Sequence, residues 1–178
     1  MKKTITMLIM IGIFSVHFLH AQTTASQPDT GTLNFIKTAS VAGMTEVKAG
    51  KLAVNKSGSS DVKSFANRMV ADHSKANDQL TQLVKSKNWN IMPPSDTETN
   101  PDGMLTGASG AAFDKAYVTM MVQDHQKAVA LFENAANSVQ DADIKAFAKQ
   151  TLPTLQQHLA AIQSIATKMN ISAAPLKP

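Results

Sequence analysis

Four long stretches of the chain repeat their apolar residues at three- and four-residue spacing, and that periodicity narrows the fold more than any other feature. They run over Leu33–Lys56, Ser60–Asn88, Ala111–Val139 and Ala142–Met169. Apolar residues spaced this way line one face of a helix, and that face must be buried against another element. No stretch shows the strict alternation that a half-buried strand requires. The expected fold class is therefore all-α, a four-helix bundle.

The breaks between the stretches order the helices. Ser57-Gly58-Ser59-Ser60 makes a tight turn, and Asp61 follows where a first-turn acid favours a helix. Gln140-Asp141 makes a second tight turn. The segment Asp61-Val62-Lys63-Ser64-Phe65-Ala66 resembles Asp143-Ile144-Lys145-Ala146-Phe147-Ala148, and both open a helix after a short turn. Two helical hairpins related by duplication are expected. Between them lies a loop from Trp89 to Gly110, rich in Pro, Gly, Asp and Thr. Extended at about 3.3 Å per residue, it can span 40 Å or more. A helix of about 28 residues is about 42 Å long. The loop can thus return along the whole bundle, giving a ferritin-like crossover in place of a simple up-down-up-down order. Pro153 falls inside the fourth stretch and is expected to kink it.

Helical wheels place a few polar residues on the apolar faces. On the first helix the buried face is Phe35, Ile36, Ala39, Ala42, Gly43, Gly50, Ala53 and Val54, and Glu46 points out of its middle. On the second, His73 lies among Val62, Phe65, Met69, Ala76, Leu80 and Leu83. On the third, Asp124 and His125 fall on the two shoulders of a face made by Phe113, Tyr117, Met121, Ala128, Phe132 and Ala135. On the fourth, His158 lies within Ile144, Phe147, Leu155, Ile162 and Ile165. Counted from the turns, all four groups fall near mid-bundle. A buried carboxylate is costly unless it is paired or bound to metal. Three neutral imidazoles and a carboxylate form a plausible set for one transition metal ion, with copper, zinc, iron and manganese as the choices. Glu46, His73, His125 and His158 are the expected ligands, each Asp-His step ("MVADHSKA", "MVQDHQKA") supplying one. Asp72 and Asp124 would orient an imidazole or face water.

Simpler readings compete with this one. A closed polar network, with Glu46 paired to a protonated histidine, would set helix register without chemistry. Glu133 lies far from the core face and reads as solvated. Tyr117 reads as core with a bonded hydroxyl. Met69 and Met121 each precede a histidine by four residues on the same face, a pairing that suits Cu(I), although methionines at helical spacing are usually core filling. No G-x-S-x-G, phosphate-cradling glycine loop or H-E-x-x-H is present.

The start of the chain reads as a targeting segment. Lys2 and Lys3 precede a mostly apolar run, Thr4–Leu19, and cleavage after Ala21 is expected. Residues 1–21 would be a signal peptide, 22–32 a flexible lead-in, 33–169 the bundle and 170–178 a tail. His17 and His20 leave with the signal, so every histidine of the mature chain lies on or beside a core-facing stripe. Removal of Lys2 and Lys3 lowers the basic count from 17 to 15 against 13 acids, so the net charge falls from +4 to +2. That balance, with no basic cluster, argues against nucleic acid. The absence of cysteine excludes disulfides, thiolate metal sites and a lipid-anchoring cysteine. No later run is apolar enough to span a bilayer.

The spaced patterns FAxxMVxDHxKA, FDxxYxxxMVxDHxKAxxLFE and FAxxxLPxLxxHL, between Leu33 and Ala166, resemble the domain-of-unknown-function family 4142. The resemblance implies an exported bacterial protein with a ferritin-like bundle; such proteins are often described as outer-membrane proteins. It implies no established biochemistry. The chain departs from the di-iron pattern, because no Glu-x-x-His occurs on the second or fourth helix and only Glu46 is central. A one-metal site is expected, and ferroxidase or oxygenase activity is not. Two functions are carried forward: a periplasmic metal-binding or stress-related protein, and a non-catalytic structural or interaction bundle. A redox enzyme with its metal near Tyr117 is a third.

Overall fold

A computed structural model of the chain describes residues 27–101 and 103–172. The expected signal peptide and its cleavage site, the first part of the lead-in and residues 173–178 lie outside the described residues. Among the described residues five helices and no strand occur: α1 Thr30–Lys56, α2 Ser60–Ser86, α3 Gly103–Gly107, α4 Gly110–Ser138 and α5 Ala142–Lys168.

The helix ends follow local chemistry. α1 starts three residues ahead of the expected Leu33, because Asp29 caps it. The Asp29 carboxylate accepts from the backbone N–H groups of Gly31 and Thr32 at 2.9 and 3.1 Å, and also from the Thr32 hydroxyl. Ser59 and Asp141 cap α2 and α5 in the same way. α2 stops at Ser86, two residues short of expectation. Asn88 there adopts a left-handed backbone with φ 53°, and the Trp89 N–H returns to the Val84 carbonyl at 3.3 Å. Asn170 ends α5 with the same φ of 53°. Pro153 lies inside α5, as expected, and the helix runs through it. Pro153 lacks the N–H that would reach the Lys149 carbonyl, but both residues are exposed, and a carbonyl freed on a solvent-facing side of a helix can turn to water.

The hairpins α1–α2 and α4–α5 pack side by side, α1 against α4 and α2 against α5. One core cluster joins the end of α1 (Ala49, Ala53), the start of α2 (Val62, Phe65, Met69), the start of α4 (Phe113, Tyr117, Met121) and the end of α5 (Ile162, Ile165). The other joins the opposite ends, through Phe35, Leu80, Phe132 and Leu155. α2 and α4 therefore start at the same end of the bundle, and the segment between them travels its full length. This is the ferritin-like crossover expected from loop length. The segment is pinned to α1: Lys48 donates to Asp96 at 2.8 Å and to the buried Thr99 hydroxyl at 2.7 Å, and Lys56 to the Thr106 carbonyl at 2.6 Å. α3 adds Leu105 to the first core cluster.

The wheels need three corrections. Ala42 is exposed, not buried. His125 sits inside its helix face, not on a shoulder, with 1% exposure. Ala49, absent from the expected face of α1, is fully buried, because α1 packs on both α2 and α4 and so buries a broader arc.

Candidate metal centre

Between the two apolar clusters lies one polar layer. His73 falls between Met69 and Leu80 on α2, His125 between Val122 and Phe132 on α4, and His158 between Leu155 and Ile162 on α5; Glu46 falls between Ala39 and Ala49 on α1. All four are buried. The three imidazole centroids are 5.5 to 5.6 Å apart. One nitrogen from each ring comes within 4.8 Å of the others, and this group consists of the histidines alone. Phe65 packs edge-on against the His125 and His158 rings at 6.1 and 6.4 Å, closing the layer on the Tyr117 side.

Outer partners define the direction of two rings. His125 Nδ1 donates to the Met121 carbonyl, one turn back, at 2.9 Å. His158 Nε2 donates to the Asp72 carboxylate at 2.8 Å. Their other nitrogens, His125 Nε2 and His158 Nδ1, are buried with no hydrogen-bond partner, as is His73 Nε2. Burial favours the neutral ring. It pushes His73 down to about 3, with His125 and His158 adding to the effect, and His125 down to about 4. His158 is also lowered by burial, against the opposing pull of Asp72. All three imidazoles are thus neutral at pH 7, and the bonds made by His125 Nδ1 and His158 Nε2 leave the lone pairs on His125 Nε2 and His158 Nδ1.

Glu46 stands beside this group. Its Oε1 is 3.8 Å from His125 Nδ1, the nitrogen already committed to Met121, and its Oε2 has no partner. Burial, with Asp124 nearby, holds its carboxyl well above the usual range. The competing reading, Glu46 paired to a protonated histidine, would join groups 3.8 Å apart, but the burial that raises this carboxyl and lowers the His125 ring disfavours the charged pair. Tyr117 is fully buried and stacks on Phe113 at 6.1 Å. Its hydroxyl, expected to be bonded, has no hydrogen-bond partner, and burial, with Glu46 nearby, pushes its pKa well above the ordinary phenol value.

The two Asp-His steps differ. Asp72 grips not its neighbour but His158 across the bundle. Asp124 is one-third exposed and pairs with Lys127 at 3.1 Å. Met69 and Met121 are fully buried in the apolar cluster on the side of the α1–α2 turn. Glu133 is exposed, as expected. Asp114 went unnoticed in the sequence: it is 5% exposed, and its Oδ1 has no partner. Its place beside Phe113 and before Tyr117 on the α4 stripe was the available signal.

A cavity of about 310 Å³ reaches this layer from the surface. Glu46 and His73 form its buried polar part, and the exposed Ala42 and Lys127 and the partly exposed Asp124 stand nearer the solvent.

The sequence pattern of the domain of unknown function DUF4142 matches residues 19–165. The chain belongs to the DUF4142 family. No curated protein matches it in sequence. Solved structures share the fold. A candidate secreted DUF305 protein from Streptomyces coelicolor is similar with a TM-score of 0.68 and 11% identity, over 81% of this chain and 96% of that one. A DUF305 fragment from Deinococcus radiodurans reaches 0.64 with 14% identity, over 80% and 99%. A candidate spore coat protein from Bacillus halodurans reaches 0.64 with 16% identity, over 86% and 97%. At these identities the likeness concerns the helical fold alone, and DUF4142 membership assigns no chemistry to the buried histidines.

Proposed function

We propose that this DUF4142 protein is an exported metal-binding bundle in which His73, His125 and His158 hold one transition metal ion, with Glu46 as the nearby compensating charge. The observation that carries the reading is the convergence of one nitrogen from each of three buried imidazoles within 4.8 Å, in rings that each keep a nitrogen without a hydrogen-bond partner while two of them are bonded through the other. A carbonyl or carboxylate on the far nitrogen is what fixes the tautomer and aim of a metal-ligating histidine. An all-imidazole set suits zinc, copper or iron better than manganese, which prefers oxygen donors. It also leaves a coordination position open, as catalytic sites do and closed structural sites do not. Export rests on the basic and then apolar start of the chain. Among the described residues no helix is long and apolar enough to cross a membrane.

The alternative, a bundle whose polar core only sets register, has less support. A network built for register satisfies its members, and here Glu46 Oε2, His73 Nε2, His125 Nε2 and His158 Nδ1 are all left unpartnered.

The test is elemental analysis of untagged protein purified from the export compartment without chelators. About one equivalent of zinc, copper or iron is expected, and it is lost in His73→Ala and His125→Ala variants that keep their helical circular dichroism. No metal after incubation with each ion in turn would leave the register reading in its place.

A further inference from the structure

The cavity beside the histidines has a mouth, apolar walls and a polar end, and the polar end is part of the metal site proposed above. His73 and Glu46 line it, and each carries a buried atom lacking a partner, Nε2 and Oε2. Its walls are apolar, with Leu80, Phe132, Phe147 and Leu155 buried and Leu131 half-buried. At the mouth Ala42 is exposed on α1 and Lys127 on α4.

Charge decides what kind of molecule fits. Three neutral imidazoles bring no negative charge to a divalent cation. Glu46 supplies at most one, and a buried charge left uncompensated is costly. An anionic oxygen donor offsets the remainder in either state of Glu46. Beside an ionised Glu46 it supplies the second negative charge. Beside a protonated Glu46 it accepts that hydrogen bond.

We propose that the cavity admits a small monocarboxylate whose head takes the open position on the metal held by His73, His125 and His158, and whose apolar body lies against Leu80, Leu131, Phe132 and Leu155. The inference rests on the metal reading, and the two can fail separately.

The experiment uses the full mature chain loaded with Co(II), whose visible bands report a change of ligand. Cobalt content is measured first. Acetate, benzoate and benzylammonium are then titrated into the wild type and into Ala42→Trp, which narrows the mouth from an exposed helix position away from the histidines. Benzoate is expected to shift the bands and to bind at least about tenfold more tightly than acetate, because its ring is removed from water. Ala42→Trp is expected to weaken benzoate about tenfold or more while leaving cobalt content and acetate binding unchanged. Cobalt uptake with bands that no carboxylate moves would overturn the cavity proposal and leave the metal reading standing. So would equal affinities for acetate and benzoate, or binding of benzylammonium in their stead, which would make the cavity a cation site for Glu46. Failure to take up cobalt, zinc or copper at all would overturn both.

Discussion

The aspartates of the two Asp-His steps make the residue scale concrete, since near-identical sequence has different consequences. Asp72 fixes the outer nitrogen of His158, whereas Asp124 leans to Lys127 at the mouth of the cavity. Asp72→Ala is therefore expected to weaken metal binding by about 10- to 100-fold in a calorimetric titration. Asp124→Asn, measured alongside, is expected to change it little. If both substitutions act equally, the grip of Asp72 on His158 has no role in binding. Glu46 presents a separate case. A buried carboxylate with one oxygen unpartnered and the other 3.8 Å from a committed imidazole is destabilising for the metal-free protein. Glu46→Gln is expected to raise the midpoint of its thermal unfolding while lowering metal affinity, and a fall in both would contradict that reading.

At the scale of elements, the ends and the crossover carry the specificity. Asp29 brings α1 its first turn, so Asp29→Ala is expected to lower the midpoint of chemical denaturation. Asn88 bends the chain out of α2 at φ 53°, a conformation that glycine adopts without strain. Asn88→Gly there is expected to be tolerated, and Asn88→Val to lower the unfolding midpoint clearly. The crossover is held to α1 by Lys48 and Lys56 through oxygen atoms of the crossover segment. The duplicated segments also find their explanation at this scale. Val62, Phe65 and Ala66 of α2 and Ile144, Phe147 and Ala148 of α5 are buried in matching fashion, but in different core clusters, at opposite ends of the bundle. The same alignment sets Leu155, not His158, against His73. The hairpins repeat in their packing and not in their polar layer.

For the whole molecule, the polar layer ties stability to pH and to metal. The unfolded chain protonates its histidines below about pH 6.5, whereas folded His73 and His125 resist until about 3 and 4. The metal-free fold therefore loses stability as pH falls from about 6.5 toward 4, by up to about 1.4 kcal/mol per unit for each such histidine. Glu46 works in the opposite direction. Its folded carboxyl keeps its proton above the ordinary 4.5, so stability drops as pH rises through that value toward the folded one. Urea unfolding of metal-free protein across pH 4 to 8 is expected to show the net acid-side loss, and Glu46→Gln to remove the alkaline-side slope. Bound metal adds stability by mass action, about 2.7 kcal/mol at a hundredfold excess over its dissociation constant. A melting temperature insensitive to zinc and copper would argue against the site.

Much of this was legible in the residues. Helical period, turn chemistry and loop length need only local sequence, because the spacing of apolar residues and the capping side chains act within a turn or two of their own backbone. They determined the all-α class, the two hairpins, a loop long enough to return along the bundle, and the mid-bundle height of Glu46, His73, His125 and His158. Other features depend on which helix faces which, and no local pattern encodes that. Packing on both α2 and α4 broadened the buried arc of α1 and drew in Ala49, while the adjacency of α2 and α5 handed His158 to Asp72. Tertiary structure alone decided that the three imidazoles converge, that Glu46 stands beside them next to His125 Nδ1, and that the Tyr117 hydroxyl is left without a hydrogen bond. Those outcomes turn on distances of a few ångströms between side chains far apart in the chain. Such distances are settled by how four helices share one core, and not by the order of residues along any one of them.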